Sequence, residues 1–581
     1  MNIQDLTNSI NGKLYGNDAF FSIDGFTGKF TFLHEAHTGD IVIREWIDQV
    51  GVEMAFDRNI ACLVTPEPRN GAIEVAERLN FPLIVIKDME VAKNFVLKIT
   101  RSEELKYIKD LADYVDGKII GNNEFFSIDG FTGKFTFLNE AHTGDIVIRH
   151  WINAVGVEMA FNKNIACLIT QTPKDGAIEL AERLNFPLII TDKIELANAY
   201  ALAHTIGKYS PGSTNIIITG TNGKSTTSHL IYHILNNAGY HVLTNTDSES
   251  EFNTLIDPMV SKLVYDEVSK NGDLDYLVIE VSEVQGWLNN LMKSHAALMS
   301  EAISPQVGVI TNVAMDHIGL VNSIDDVFEE IKAVPKAIGD GITILNHDDE
   351  LVRSLEVQNP FYTSMSKIDD ENAVYFDGED IVYRNNSILS IDELPFKGNH
   401  FIQNILSAIG ACISLNIDMD DIVEGVKTYK ALNRRFAKLN DAPLIYDDFA
   451  HNPDGIKATI SETLKLLPQN QKLHLVCAIR GSRGVEINQL NADALVESMT
   501  GNINVYLSSS NDVVNESNFV KPKEREVFFN TLNKNNIEFT HFDNLNDCLL
   551  EVYKKADKKD IILLIGAQGM DPAKSLLDNI I

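Results

Sequence analysis

The stretch "ITGTNGKSTTSHL", residues 218 to 230, joins an apolar run to a helical pattern. It contains Gly-Lys-Ser, yet the common phosphate-loop spelling is not met, because Ile218 stands where that pattern has its first glycine. The turn nevertheless has the parts of an anion site. A tight connection from strand to helix points several backbone N–H groups at one spot, and the helix dipole adds roughly half a positive charge there. Gly220 and Gly223 let the backbone approach phosphate oxygens, with Thr221 and Asn222 between them. Lys224 is placed to neutralise the β- and γ-phosphates of a nucleotide. Ser225 is placed to ligate Mg2+, with Thr226 alongside. The local alternative is a plain strand–helix turn capped by Ser225.

Outward from this loop, apolar runs alternate with helical patterns. IIIT (216–219), YLVIEV (276–281) and VGVIT (307–311) read as strands of a mostly parallel sheet. LIYDDF, LHLVCAI, INVYLSS and DIILLIG read as strands of a further α/β unit toward the C-terminus. Upstream, "GKYSPGS" (207–213) is a Gly/Pro/Ser hinge. Before it lies a duplication: "FFSIDGFTGKFTFLHEAHTGDIVIREWIDQVGVEMAF" begins at Phe20 and recurs, nearly unchanged, from Phe125. The offset of 105 residues makes each copy domain-sized. The expected division is 1–105 and 106–207 (two small α/β copies), 208–433 (the loop-bearing domain) and 434–581 (a Rossmann-like domain).

Bulk composition narrows the partners. The 581 residues carry 49 Lys plus Arg against 82 Asp plus Glu, a formal charge of −33. Such a surface repels a phosphate backbone, which excludes a nucleic-acid polymer as partner and leaves a small anion bound at one local site. The five cysteines lack metal-ligand spacing and their odd number argues against a disulfide framework. The N-terminus has no basic or apolar leader, and the longest apolar runs are strand-sized, so a cytoplasmic protein without a membrane span is expected.

The spelling G-T-N-G-K-S-T-T resembles the ATP loop of the Mur ligase family, and the resemblance recurs in order. "EVSEVQG" (280–286) is similar to the family's Glu-Val-Ser-Ser segment, "TNVAMDHIG" (311–319) to its Thr-Asn-x-x-x-Asp-His segment, and "LNHDDE" (345–350) to its Asn-x-Asp-Asp turn. "KGNHFIQN" (397–404), "NRRF" (433–436), "DDFAHNPDG" (447–455) and "GAQG" (566–569) match later blocks. The resemblance implies a multidomain α/β ligase. It activates a carboxylate with ATP as an acyl phosphate, which an amino-acid amine then attacks. Glu280, ending an apolar strand, and His317 would hold a second Mg2+. In family members a Lys shortly after the Asp-His pair is carbamylated; Lys332, 16 residues beyond Asp316, fits that place as N6-carboxylysine, and Lys336 competes with it. A surface Lys paired with Glu329 or Glu330 is the plain alternative.

The resemblance further implies that Asn404 touches the adenine region, Arg435 the phosphates and Asp448 the ribose. Phe401 departs from the family, which has Asn there. His451 and Asn452 would line an amino-acid pocket or cap the helix that starts at Pro453. Arg480 and Arg483, in "AIRGSRGVE" (478–486), offer an anion site for acceptor or amino acid. The repeats resemble the small domain that binds a nucleotide-linked acceptor in some Mur ligases, with "SIDGFTGKF" as a Gly-rich candidate contact. The arrangement also resembles the peptide ligases of archaeal pseudomurein and the ligase module of cyanophycin synthetase. A UDP-linked cell-wall precursor peptide is therefore the preferred acceptor. A polyglutamate- or cyanophycin-like ligase, and a P-loop phosphotransferase or sensor with tandem ligand domains, are the rivals.

Overall fold

The alternating pattern after the hinge folds into two sheets whose strand ends face each other across one cavity. In the computed structural model, the described residues are 3–10, 12–16, 41–58, 60–87, 108–122, 138, 141–246, 257–287, 290–315, 320–395 and 398–581. The chain forms two compact units, Met1–Lys106 and Tyr107–Ile581.

The two repeats adopt the same design. In the first unit the sheet order is Lys13–Tyr15, Leu83–Val85, Cys62–Thr65, Ile41–Ile43. In the second unit it is Lys118–Ile120, Leu188–Ile190, Cys167–Pro173, Ile146–Ile152. The first strand of each is antiparallel and the other three run parallel. The paired helices Gln49–Asp57 and Ala154–Asn162 are N-capped alike, by Asp48 accepting from the Gly51 N–H and Asn153 from the Gly156 N–H. The "SIDGFTGKF" segments of both copies lie outside the described residues.

Differences between the copies mark what the second one touches. Helix Ile194–Tyr209 packs against the second copy's strands and against helices Asp257–Asn271 and His295–Ile303 of the central region. On that seam His150 is buried, hydrogen-bonded to Gln171, and close enough to buried His295 to disfavour its charge. The first copy has Glu45, exposed, and Pro66 at the matching positions, so it lacks both partners of that bond.

The central sheet has nine strands in the order Val242–Thr244, Tyr276–Glu280, Thr214–Thr219, Val307–Ile310, Ile342–Asn346, Asn359–Ser364, Ala373–Phe376, Asp380–Tyr383, Asn386–Ser390. The first seven are parallel; the last two add as antiparallel hairpins. Ile216, Ile218, Val278, Val309 and Ile344 bury one face against helices Lys224–Asn237 and Asn399–Ser414, so these strands read as continuous apolar runs. The strand that enters the loop lies between strands that arrive later from opposite sides. That switch point opens a crevice at the strands' carboxyl ends.

The C-terminal sheet runs Ala437–Asp441, Leu444–Asp448, Ile561–Ile565, Leu473–Ala478, Ile503–Ser508, Phe539–Phe542, parallel except for the first strand. Among the described residues no helix is long and apolar enough to cross a membrane.

Candidate active site

A cavity of about 550 Å³ lies between the loop and the carboxyl ends of the C-terminal strands. Thr221 through Thr226, Glu280, Asn404, Arg435, Asp448, His451 and Arg480 all line it. Residues more than 250 positions apart in sequence thus share one wall-to-wall space.

The loop is held by its neighbours. Gly220 (φ 115°) and Gly223 (φ 87°) both have left-handed backbone, and a Cβ at Gly223 would stand 2.2 Å from Asn404 Oδ1. Asn312, at the end of the adjacent strand, accepts from the Asn222 N–H (2.9 Å) and donates to the Asn222 carbonyl (2.8 Å). Its own carbonyl accepts from the Thr221 N–H (2.9 Å). The "LNHDDE" turn braces this segment: Asn346 donates to the Thr311 carbonyl and Asp349 accepts from the Val313 N–H.

Lys224 is buried and turned back on its own loop. Its ammonium donates to the carbonyls of Gly220 (2.7 Å) and Thr221 (2.9 Å) and to Glu283 Oε2 (2.8 Å). Next to it, Ser225 donates to Glu280 Oε1 (3.2 Å) and accepts from Arg435 (3.1 Å). Thr246 donates to the other Glu280 oxygen at 3.2 Å. Burial pushes the Glu280 carboxyl above its ordinary range, while the charges of Lys224 and Arg435 and the two hydroxyls pull it back. A fully buried carboxylate beside a hydroxyl at a phosphate loop is a hard oxygen pair, and Mg2+ is usually held by one or two such carboxylates together with substrate phosphates. Ser225 and Glu280 therefore fit one Mg2+.

The "NRRF" turn splits its two arginines. Arg434, with left-handed backbone, is tied to Asp447, Asp571 and the carbonyls of Gly566 and Ala567. Arg435 points instead to the loop, and both guanidiniums lie 5.0 Å from the Phe449 ring centre. Burial raises the Asp447 carboxyl to about 6 against the pull of Arg434. Asp448 lines the cavity, but its oxygens also hold the turn, accepting from the N–H groups of Phe436 (2.7 Å) and Ala450 (2.8 Å) and from the Thr459 hydroxyl (3.1 Å). Asn452 caps helix Pro453–Leu466 and also donates to the Asn222 side chain at 3.1 Å, a direct link from the C-terminal sheet to the loop. His451 Nδ1 is 2.9 Å from the Phe449 carbonyl.

The structure separates some of the sequence-predicted residues from this site. Lys332 is exposed, 3.2 Å from Glu329 at the end of helix Ile324–Lys332, and does not line the cavity. That is the plain surface-pair geometry, and Lys336 is exposed as well. His317 lies outside the described residues. Arg483 bonds Asn518 on the surface, away from the cavity that Arg480 lines. Two amides of their loop are already taken: Glu524, buried, accepts from the N–H groups of Ser482 (3.0 Å) and Gly484 (2.6 Å), and also from that of Lys521 (2.8 Å) before its own helix. Phe401 packs with Phe436, which stacks on Tyr446, so the departure from Asn is used to join the central helix to the C-terminal core.

Sequence reasoning missed Glu283, Asn312, Thr246 and Glu524. Asn312 belongs to the "TNVAMDHIG" segment, but only the fold shows that it clamps Asn222. Glu283 stands where the similar segment has its second Ser, and that one change was the available signal.

Residues 218–412 match the family model described as "Mur ligase middle domain", and residues 434–568 match "Mur ligase, glutamate ligase domain". The chain belongs to the Mur ligase family. Its members are ATP-dependent, Mg2+-using enzymes that form amide bonds, and this Mur ligase is an acid–amino-acid ligase of that kind. A UDP-N-acetylmuramate–L-alanine ligase of Caldicellulosiruptor bescii is 26% identical over 405 residues, 67% of this chain and 82% of the relative. One from Clostridium novyi is 30% identical over 265 residues, 42% of this chain and 51% of the relative. Among solved structures, MurF from Acinetobacter baumannii aligns with TM-score 0.56 at 16% identity, covering 81% of this chain and 98% of that one. A pseudomurein peptide ligase type C from Methanothermus fervidus aligns with TM-score 0.50 at 18% identity, covering 93% and 100%. These structural likenesses establish the fold.

Proposed function

We propose that the enzyme joins an amino acid to the carboxylate of a UDP-linked cell-wall precursor, preferentially a peptide of the pseudomurein type, in the cytoplasm. The observation that carries this reading is the single cavity with a phosphate loop on one wall and His451 and Arg480 on the other. The curated relatives named as UDP-N-acetylmuramate–L-alanine ligases support a UDP-linked acceptor.

In this reading the loop amides of 220–226 and Lys224 bind the ATP phosphates, Asn404 the adenine side, Asp448 the ribose and Arg435 the γ-phosphate. Mg2+ on Ser225 and Glu280 would neutralise phosphate charge. The acceptor carboxylate attacks the γ-phosphorus and ADP leaves; the amine then attacks the acyl carbon of the resulting acyl phosphate, releasing phosphate and a proton. Arg480 would hold a substrate carboxylate near His451. Arg435 and Asn452, bonded to Ser225 and Asn222, would keep the C-terminal sheet closed over the loop and exclude water from the acyl phosphate. A second metal on Glu280 and His317, with Lys332 as N6-carboxylysine, belongs to the same proposal and requires Lys332 to leave Glu329. The four-part division at 105, 207 and 433, with the second repeat serving the acceptor, completes it.

The test is ADP release measured with twenty amino acids and UDP-linked glutamyl acceptors. Release that needs both a carboxylate and an amine supports the ligase. Phosphate transfer to a hydroxyl or to protein, with no amine requirement, would overturn it in favour of a phosphotransferase. Lys332→Ala is expected to lose most activity; wild-type turnover in CO₂-free buffer would remove the carbamate.

A further inference from the structure

Two carboxylates leave the end of one strand and hold two successive residues of the loop helix. Glu280, the last residue of Tyr276–Glu280, takes Ser225; Glu283, three residues on, takes Lys224. The Glu283 side chain is fully buried, and that of Lys224 is only 10% exposed. An ammonium has three N–H donors. In Lys224 all three are committed, to Gly220 O, Thr221 O and Glu283 Oε2. No donor remains for a phosphate until one of these bonds opens. The two carbonyls belong to the loop that must keep its shape to present its amides. Glu283 is the anionic partner, so its replacement by a phosphate oxygen exchanges one negative group for another.

We infer that Glu283 is a positioning residue that acts as a counter-charge latch: it keeps Lys224 folded onto the loop, and a nucleotide phosphate must displace it. The inference rests on the nucleotide-site reading above. It identifies a competitor for the loop lysine built into the chain, 59 residues away in sequence. Its carboxylate stays close to the phosphates after displacement, so it opposes ground-state binding of the nucleotide.

The experiment compares wild type, Glu283→Gln and Glu283→Asp by calorimetric titration with ADP in the absence of divalent metal, alongside melting temperature and steady-state kinetics. Glu283→Gln keeps the shape and removes the charge. It is expected to bind ADP about tenfold more tightly, as neutralising a like charge in a buried site does, and to lower the KM for ATP without raising kcat. Equal or weaker ADP affinity in a folded Glu283→Gln protein overturns the latch. If that variant shows no cooperative melt, Glu283→Asp decides. Its shorter reach loosens the pair, so tighter ADP binding supports the latch and equal or weaker binding overturns it. Absence of ADP binding by the wild type, with Lys224→Ala unchanged from it, would instead defeat the nucleotide-site reading itself.

Discussion

Replacing Gly223 by Ala probes how tightly the loop is built into its surroundings. The residue has φ 87° and starts helix Lys224–Asn237. An L-residue in that left-handed conformation costs roughly 1–2 kcal/mol. The added Cβ would also lie 2.2 Å from Asn404 Oδ1 and 3.1 Å from its Cγ. Asn404 is only 8% exposed and lines the cavity, so its amide must turn off Gly223 into that space. Overpacking of this kind costs about 1–3 kcal/mol. The sum, about 2–5 kcal/mol, is expected as a lowered melting temperature together with weaker ADP binding. A double-mutant cycle with Asn404→Ala separates the two contributions. Removing the amide relieves the clash and leaves the backbone cost, so the pair should be coupled by about 1–3 kcal/mol. Urea unfolding of the four proteins gives the coupling. Strict additivity would refute the contact between Gly223 and Asn404 as the source of the strain.

Asn312→Ala removes both side-chain bonds to the Asn222 backbone, and the unclamped loop should raise the KM for ATP about tenfold or more; an unchanged KM would deny the clamp. The buried histidines of the seam predict acid sensitivity. Burial depresses His150 and His295 to about 4, aided for His150 by Arg149 and for His295 by His150, so both are neutral when folded and take up protons on unfolding. Stability is then fully present above the unfolded value near 6.5 and is lost as pH falls toward 4, by up to about 3 kcal/mol per ring. Glu330 beside His295, whose carboxyl burial raises, offsets part of this loss. Melting from pH 7.5 to 4.5 should show the decline, and His295→Gln should flatten it. Glu524→Ala strips three backbone N–H groups of their acceptor and should destabilise the C-terminal sheet by about 2–4 kcal/mol. Thermal unfolding measures this, and a higher KM for the amino acid would show that Arg480 has moved with its loop.

Local sequence determined the elements and their order. Ile216–Ile218, Leu277–Ile279 and Val307–Ile310 are strands because runs of branched apolar residues are stable only when both sheet faces are covered, and that requirement is legible without coordinates. The loop after Thr219 was legible for the same reason: glycine at two left-handed positions and a Lys-Ser at a helix start have few other uses. Tertiary structure alone decided which charges meet. Glu283 reaches Lys224, Arg435 parts from Arg434, and Glu524 fills amides beside Arg480. Spacing along a chain fixes which face of a helix or strand a side chain is on, but a charged group takes whichever opposite partner the packing of distant elements brings within hydrogen-bond reach, and nothing local encodes that distance.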